Sequence, residues 1–167
     1  MKMNDDLAKL FNDQITMELA SSVTYLQMAA HLETEGLTGM GGWMRIQSDE
    51  EHAHALRFLQ FTLDRGNDVV IGAMAAPVRP NGSVADVFDA ALAQEQKVTA
   101  SISNMYSAAQ QGADVLALPF LQEFLTEQVE EEAAVGEIID RLRLAGDDGP
   151  SLLQLDRELG SRTPEEE

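Results

Sequence analysis

The chain contains no cysteine. That excludes disulfides, thiolate zinc sites, cysteine nucleophiles and cysteine-ligated iron–sulfur clusters. Basic residues are scarce, 11 against 29 acidic ones, for a formal charge of −18. Nucleic acid and anionic membranes are bound through Lys and Arg, so neither is expected as a partner. No apolar run approaches the roughly 20 residues a membrane helix needs. The N-terminus, Met1 to Asp6, lacks the apolar stretch of a signal peptide, so a cytoplasmic location is expected. The length of 167 residues suits one domain, residues 1–167, with a bundle at 1–145 and a last helix and tail at 146–167.

What is present is helical periodicity. A first segment from about Asp5 to Glu35 opens on Asn4, a good N-cap. Its expected apolar face is Leu7, Phe11, Ile15, Leu19, Ser22, Leu26 and Ala29, in steps of three and four. The glycine-rich run Gly36 to Gly42 reads as a loop, and a second helix is expected from about Trp43 to Arg65, stopping at Gly66. Ser83 with Asp86 forms a capping-box pattern that starts a third helix, running to about Gln111. Gly112-Ala113-Asp114 is a short turn before a fourth helix, which tolerates Pro119 in its opening turns and ends at Gly146. Ser151 with Gln154 is expected to cap a short fifth helix, Leu152 to Leu159, before a charged tail from Arg162 to Glu167.

Connection lengths set the topology. Short links make the first and second helices, and the third and fourth, antiparallel neighbours. Residues 67–82 are too many for a turn, but they can run the length of helices that span roughly 40 Å. The expected fold is therefore all-α, a four-helix bundle with one long crossover between helices two and three, the ferritin-like arrangement, plus a short C-terminal fifth helix.

The chemistry lies in a repeated spacing. Glu18 is followed 33 residues later by Glu51 and then by His54; Glu95 is followed 33 residues later by Gln128 and then by Glu131. Each glutamate falls among apolar residues at helical spacing. One buried glutamate is ordinarily a hydrogen-bonded or half-exposed residue. Four of them, one per helix at one depth, are tolerable only around a cation. Glu51-x-x-His54 is the unit that carboxylate-bridged di-iron bundles place on a helix. A mostly oxygen donor set with one imidazole suits iron or manganese better than a structural zinc. Glu51, in the central pair, is the expected bridge. Tyr25, one heptad after Glu18, points to the same region as a hydrogen-bond partner and candidate one-electron donor. Gln128 is a neutral group that limits the negative charge at the second position. Glu50, Glu127 and Glu130 flank the site and are either a solvated face or a further ion site. His31 and His52 are read as surface histidines without a role.

These residues, Glu18 with Tyr25, Glu51-His52-Ala53-His54, Glu95 and Glu127-Gln128-Val129-Glu130-Glu131, resemble the non-haem bacterial ferritins, and the resemblance spans nearly the whole chain. It implies an iron-storage protein forming a hollow 24-subunit homo-oligomer. Such a shell oxidises Fe(II) with O2 or H2O2 at an intrasubunit di-iron ferroxidase centre and keeps the ferric product as mineral. By residue it assigns Glu18, Glu51 and His54 to one iron; Glu51, Glu95 and Glu131 to a second; and Glu50, Glu127 and Glu130, with Glu131 shared, to a third. Two departures argue against haem. Haem-containing bacterioferritins resemble this pattern but have a second Glu-x-x-His where this chain has Gln128-x-x-Glu131. They also have a haem-ligating methionine where it has His52. The alternatives are such a bacterioferritin and a rubrerythrin-like di-iron peroxidase. The absent cysteines remove the electron-transfer module that rubrerythrins usually carry.

Overall fold

The structure is a computed structural model that describes residues 1–163; residues 164–167, the end of the expected tail, lie outside the described residues. Five helices account for most of it: α1 (Asp5–Thr34), α2 (Thr38–Asp64), α3 (Val84–Gln111), α4 (Ala117–Ala145) and α5 (Gly149–Leu159). No helix is long and apolar enough to cross a membrane, among the described residues.

Local chemistry explains where the helices start. The Asn4 side chain accepts from Leu7 N at 2.8 Å. Ser83 and Asp86 form the reciprocal capping box expected of them. Two starts differ from expectation. α2 begins at Thr38, so Gly39, Gly41 and Gly42 are helical. A Cβ on Gly39 would lie 1.8 Å from the Asp156 carbonyl oxygen, and one on Gly41 would lie 2.6 Å from Glu33 Cγ. Gly39 and Gly41 are there for close packing against α5 and α1, not for a loop. α5 is capped by Asp148, which accepts from Ser151 N at 2.9 Å, and Pro150 sits in its first turn, so Ser151 is inside the helix rather than its cap.

The apolar face of α1 also differs. It follows Leu7, Phe11 and Ile15 as expected, then continues through Glu18, Ser21, Tyr25, Met28 and Leu32. Leu26 is 46% exposed, and Leu19 and Ser22 are only partly buried. Following apolar residues alone misses the stripe where it turns polar.

α1 packs along α2, α3 along α4, and α1 also meets α3. The crossover climbs α1 in α1's own direction. Asn67 Oδ1 accepts from Met3 N at 2.9 Å, Asn12 Oδ1 accepts from Val70 N at 2.9 Å, and Gly72 N donates to Thr16 Oγ1 at 2.9 Å. It therefore carries the chain from the end of α2 back to the opposite end of the bundle, and α3 starts there. α5 lies across that end, where Asp156 Oδ1 accepts from Met40 N at 2.8 Å. This is the ferritin-like four-helix bundle with its short fifth helix.

The core is in two parts. One contains Phe11, Phe58, Ile102, Met105, Leu121 and Phe124; the other Leu32, Trp43, Met44, Phe88, Ile138 and Leu155. Burying each such side chain contributes about 1.5–3 kcal/mol. Between the two parts, every helix of the bundle crosses a polar layer: Gln14, Glu18 and Ser21 on α1, Gln47, Ser48, Glu51 and His54 on α2, Glu95 on α3, and Gln128 on α4.

Candidate metal centre

Glu18 and Glu51 are fully buried or nearly so, and His54 sits at the edge of burial, 9% exposed. Donor atoms from Glu18, Glu51 and His54 all lie within 4.8 Å of one another, the one such convergence of acidic, imidazole or thiol groups among the described residues. Glu18 Oε1 accepts from Gln14 Nε2 at 2.7 Å. Glu18 Oε2, Glu51 Oε2 and His54 Nδ1 are buried and have no hydrogen-bond partner. Buried orphan acceptors cost about 1–3 kcal/mol each, more when charged. A divalent cation between them satisfies all three, so this donor set fits a hard metal ion.

The electrostatics agree. Burial pushes the Glu18 carboxyl above the ordinary range, against its side-chain contacts with Glu51 and then Gln14. Burial also pushes Glu51 well above that range, and the neighbouring charges of Glu18 and Glu95 add to the effect. His54 is lowered to about 4 by burial and by the nearby Arg57, so its imidazole is neutral and available as a ligand at neutral pH.

The α3 and α4 side of the layer differs. Tyr25, fully buried, donates to Glu95 Oε1, and Gln128 Nε2 donates to Glu95 Oε2 at 3.1 Å. Burial raises Glu95 to about 7 while these two bonds oppose the rise. Burial and the Glu95 charge hold the Tyr25 hydroxyl well above its usual range. Glu131 is half-buried and close enough that its charge acts on Tyr25, Glu51 and Glu95. Its Oε2 accepts from Gln47 Nε2 at 2.9 Å. The sequence pattern thus brings Glu18, Tyr25, Glu51, His54, Glu95, Gln128 and Glu131 to one level.

The three flanking glutamates are placed otherwise. Glu127 is held by Arg57 Nη1, at 3.0 Å to each oxygen, and lies 3.6 Å from His54 Nε2. Glu50 is held by Arg162 Nη2 at 2.9 and 2.8 Å. Glu130 is exposed. His52 is exposed and His31 half-buried near the end of α1.

Sequence reasoning missed the supporting polar residues. Ser101 Oγ donates to Gln14 Oε1 at 2.5 Å, which turns the Gln14 amide toward Glu18. Gln47 bonds Glu131, and Thr99 links Gln128 to Glu132. A signal was there: Gln14 and Gln47 each precede a site glutamate by one helical turn, and they too are 33 residues apart.

A buried carboxylate layer crossing a four-helix bundle with one long crossover defines the ferritin-like class, and the chain belongs to it: residues 8–145 match the family model of the ferritin-like domain. Among curated relatives, the bacterial non-heme ferritin of Staphylococcus aureus is 34% identical over 165 residues, covering 99% of both chains. A probable bacterial non-heme ferritin-like protein of Haemophilus influenzae is 31% identical over 159 residues, covering 95% of this chain and 96% of its own. Among solved structures, a novel open-pore ferritin from the hyperthermophilic archaeon Archaeoglobus fulgidus superposes with a TM-score of 0.95. It is 36% identical, with 96% of this chain and 98% of that one covered.

Proposed function

We propose that the protein stores iron, oxidising Fe(II) to Fe(III) at a two-iron centre within each subunit and retaining the ferric product in a cytoplasmic 24-subunit shell. The observation that carries this is the convergence of Glu18, Glu51 and His54 around buried, unpartnered donor atoms. Membership of the ferritin-like family supports the storage role.

In this reading Glu18 and His54 hold one iron, Glu95 and Glu131 a second, and Glu51 bridges. Two Fe(II) ions give one electron each to O2, which takes up two protons and leaves as H2O2. With H2O2 as oxidant, the same two electrons and two protons give two waters. Carboxylates favour the harder Fe(III), which supports the direction of transfer. Gln14 and Gln128 fix the orientation of Glu18 and Glu95. Tyr25 donates a hydrogen bond to Glu95 and in this reading helps to hold that carboxylate at the second iron. A third iron position at Glu50, Glu127 and Glu130, with Glu131 shared, requires Arg162 and Arg57 to release their carboxylates. The single domain, residues 1–167, needs no haem and no nucleic-acid or membrane partner in this role.

Stopped-flow measurement of the ferric absorbance tests the assignment. Wild type is expected to oxidise two Fe(II) per subunit in a fast phase that the Glu51→Ala/His54→Ala double variant lacks. An unchanged fast phase in that variant refutes the site. Electron microscopy after aerobic iron loading tests the shell: a mineral-filled particle is expected, and a dimer or tetramer refutes it.

A further inference from the structure

Arg162 follows α5, far in sequence from the bundle's metal layer, yet it reaches that layer. Its guanidinium lies over the Trp43 ring, Cζ 5.0 Å from the centroid. Nη2 bonds both Glu50 oxygens, and Nη1 donates to Gln47 Oε1. Gln47 is 1% exposed, on α2 one turn before Glu51. Its other amide atom, Nε2, donates to Glu131 Oε2 at 2.9 Å.

An amide has two unlike ends. With Arg162 donating to the oxygen, only the NH2 end is left to face Glu131. Without that donor the amide loses one of the two bonds that fix its plane, and the Gln47 oxygen is left buried without the guanidinium, so Glu131 is held less firmly. The planar fork of arginine reaches Glu50 and Gln47 together, which an ammonium group does less well. α5 is itself seated by the tight contact of Gly39 with Asp156 and by the Asp156–Met40 hydrogen bond, so the arginine is presented from a fixed base.

We propose that Arg162 is a positioning residue of the metal centre: through Gln47 it aims the Glu131 carboxylate at the second cation position, so the segment after α5 sets the affinity there. This rests on the assignment of Glu131 to the second iron.

Co(II) titration of the assembled, metal-stripped protein tests it, read by calorimetry and by the visible ligand-field spectrum. Arg162→Lys and Gln47→Leu keep the charge around the site while breaking the relay, so electrostatic attraction is held constant. Each is expected to weaken the weaker of two Co(II) binding steps by about 10-fold and to shift its spectrum, with the tighter step unchanged. The pair is expected to be non-additive, the double variant binding no worse than Gln47→Leu alone. Helix content by circular dichroism and particle size keep a folding defect separate, and Arg162→Lys, the conservative change, preserves the packing on Trp43. Wild-type affinity and spectrum in both single variants overturn the proposal, as does simple additivity. Glu131→Gln separates the two layers of inference. If it leaves the second step intact, the assignment of Glu131 fails and the proposal with it. If it weakens that step while the relay variants do not, the proposal alone fails.

Discussion

The two halves of the metal layer are built differently. On α1 and α2, Glu18 and Glu51 keep buried oxygens with no partner, and His54 completes a convergent set. On α3 and α4, both Glu95 oxygens accept hydrogen bonds, from Tyr25 and Gln128, and Glu131 accepts one from Gln47. The first half is short of donors without a cation. In the second, both Glu95 oxygens are already satisfied by Tyr25 and Gln128, so a cation reaching Glu95 must compete with them. On the proposed two-iron reading, the difference implies ordered filling, with the α1–α2 position tighter. It also implies, on that reading, that the α3–α4 position lets its ion go more readily.

The largest effect expected on this contrast is the loss of fast Fe(II) oxidation in Glu51→Ala/His54→Ala, since Glu51 bridges both halves in the proposed reading. Next is pH. Glu95 titrates at about 7 in the fold against an ordinary 4.5, so between these values the native state holds a proton that the unfolded chain has lost. Stability from this group is full below about pH 4.5, declines as pH rises, and is gone above 7, a change of about 3 kcal/mol. Glu18 and Glu51, also raised, act with the same sign. His54, lowered to about 4 from 6.5, acts with the opposite sign, stability rising from about pH 4 to 6.5. Three carboxyls outweigh one imidazole. Denaturant titration of metal-stripped protein is expected to show lower stability at about pH 8 than at about pH 5, with Co(II) closing the gap. A metal-stripped protein more stable at the higher pH contradicts the burial account.

A finer test separates the halves. Glu18→Gln is expected to weaken the tighter Co(II) step by about 10- to 100-fold, and Glu95→Gln the weaker step by a similar factor. Both variants acting on the same step, with equal size, shows one undivided site and removes the contrast.

Much of this was legible beforehand. The 33-residue repeat located the layer because helix, short link and antiparallel helix return the chain to the same depth each time. Capping at Asn4 and Ser83 was legible because caps are local chemistry. What was hidden depended on other elements. Gly39 and Gly41 look like a loop until α5 and α1 lie against them. Leu26 looks buried until the polar residues beside it prove to face inward. Ser151 matches a cap pattern as well as Asp148 does, and the position of Pro150 in the first turn decides between them. Arg57 and Arg162 are ordinary surface cations by pattern, and only folding sets them on Glu127 and Glu50.

The smallest effect bears most directly on why the halves differ. Tyr25 donates to Glu95 Oε1 within a fully buried setting. Tyr25→Phe keeps the ring and removes the donor, leaving Glu95 with an orphan oxygen like that of Glu18. The lost bond also raises Glu95 further, since the Tyr25 hydroxyl opposes the effect of burial. Metal-stripped Tyr25→Phe is expected to lose about 1–3 kcal/mol of stability by denaturant titration. Co(II) is expected to recover most of that loss, because a cation at the second position supplies Glu95 with the partner the hydroxyl no longer provides. A loss of equal size with and without Co(II) would mean that Tyr25 contributes only packing, and that hydrogen bonding does not account for the different character of the α3–α4 half.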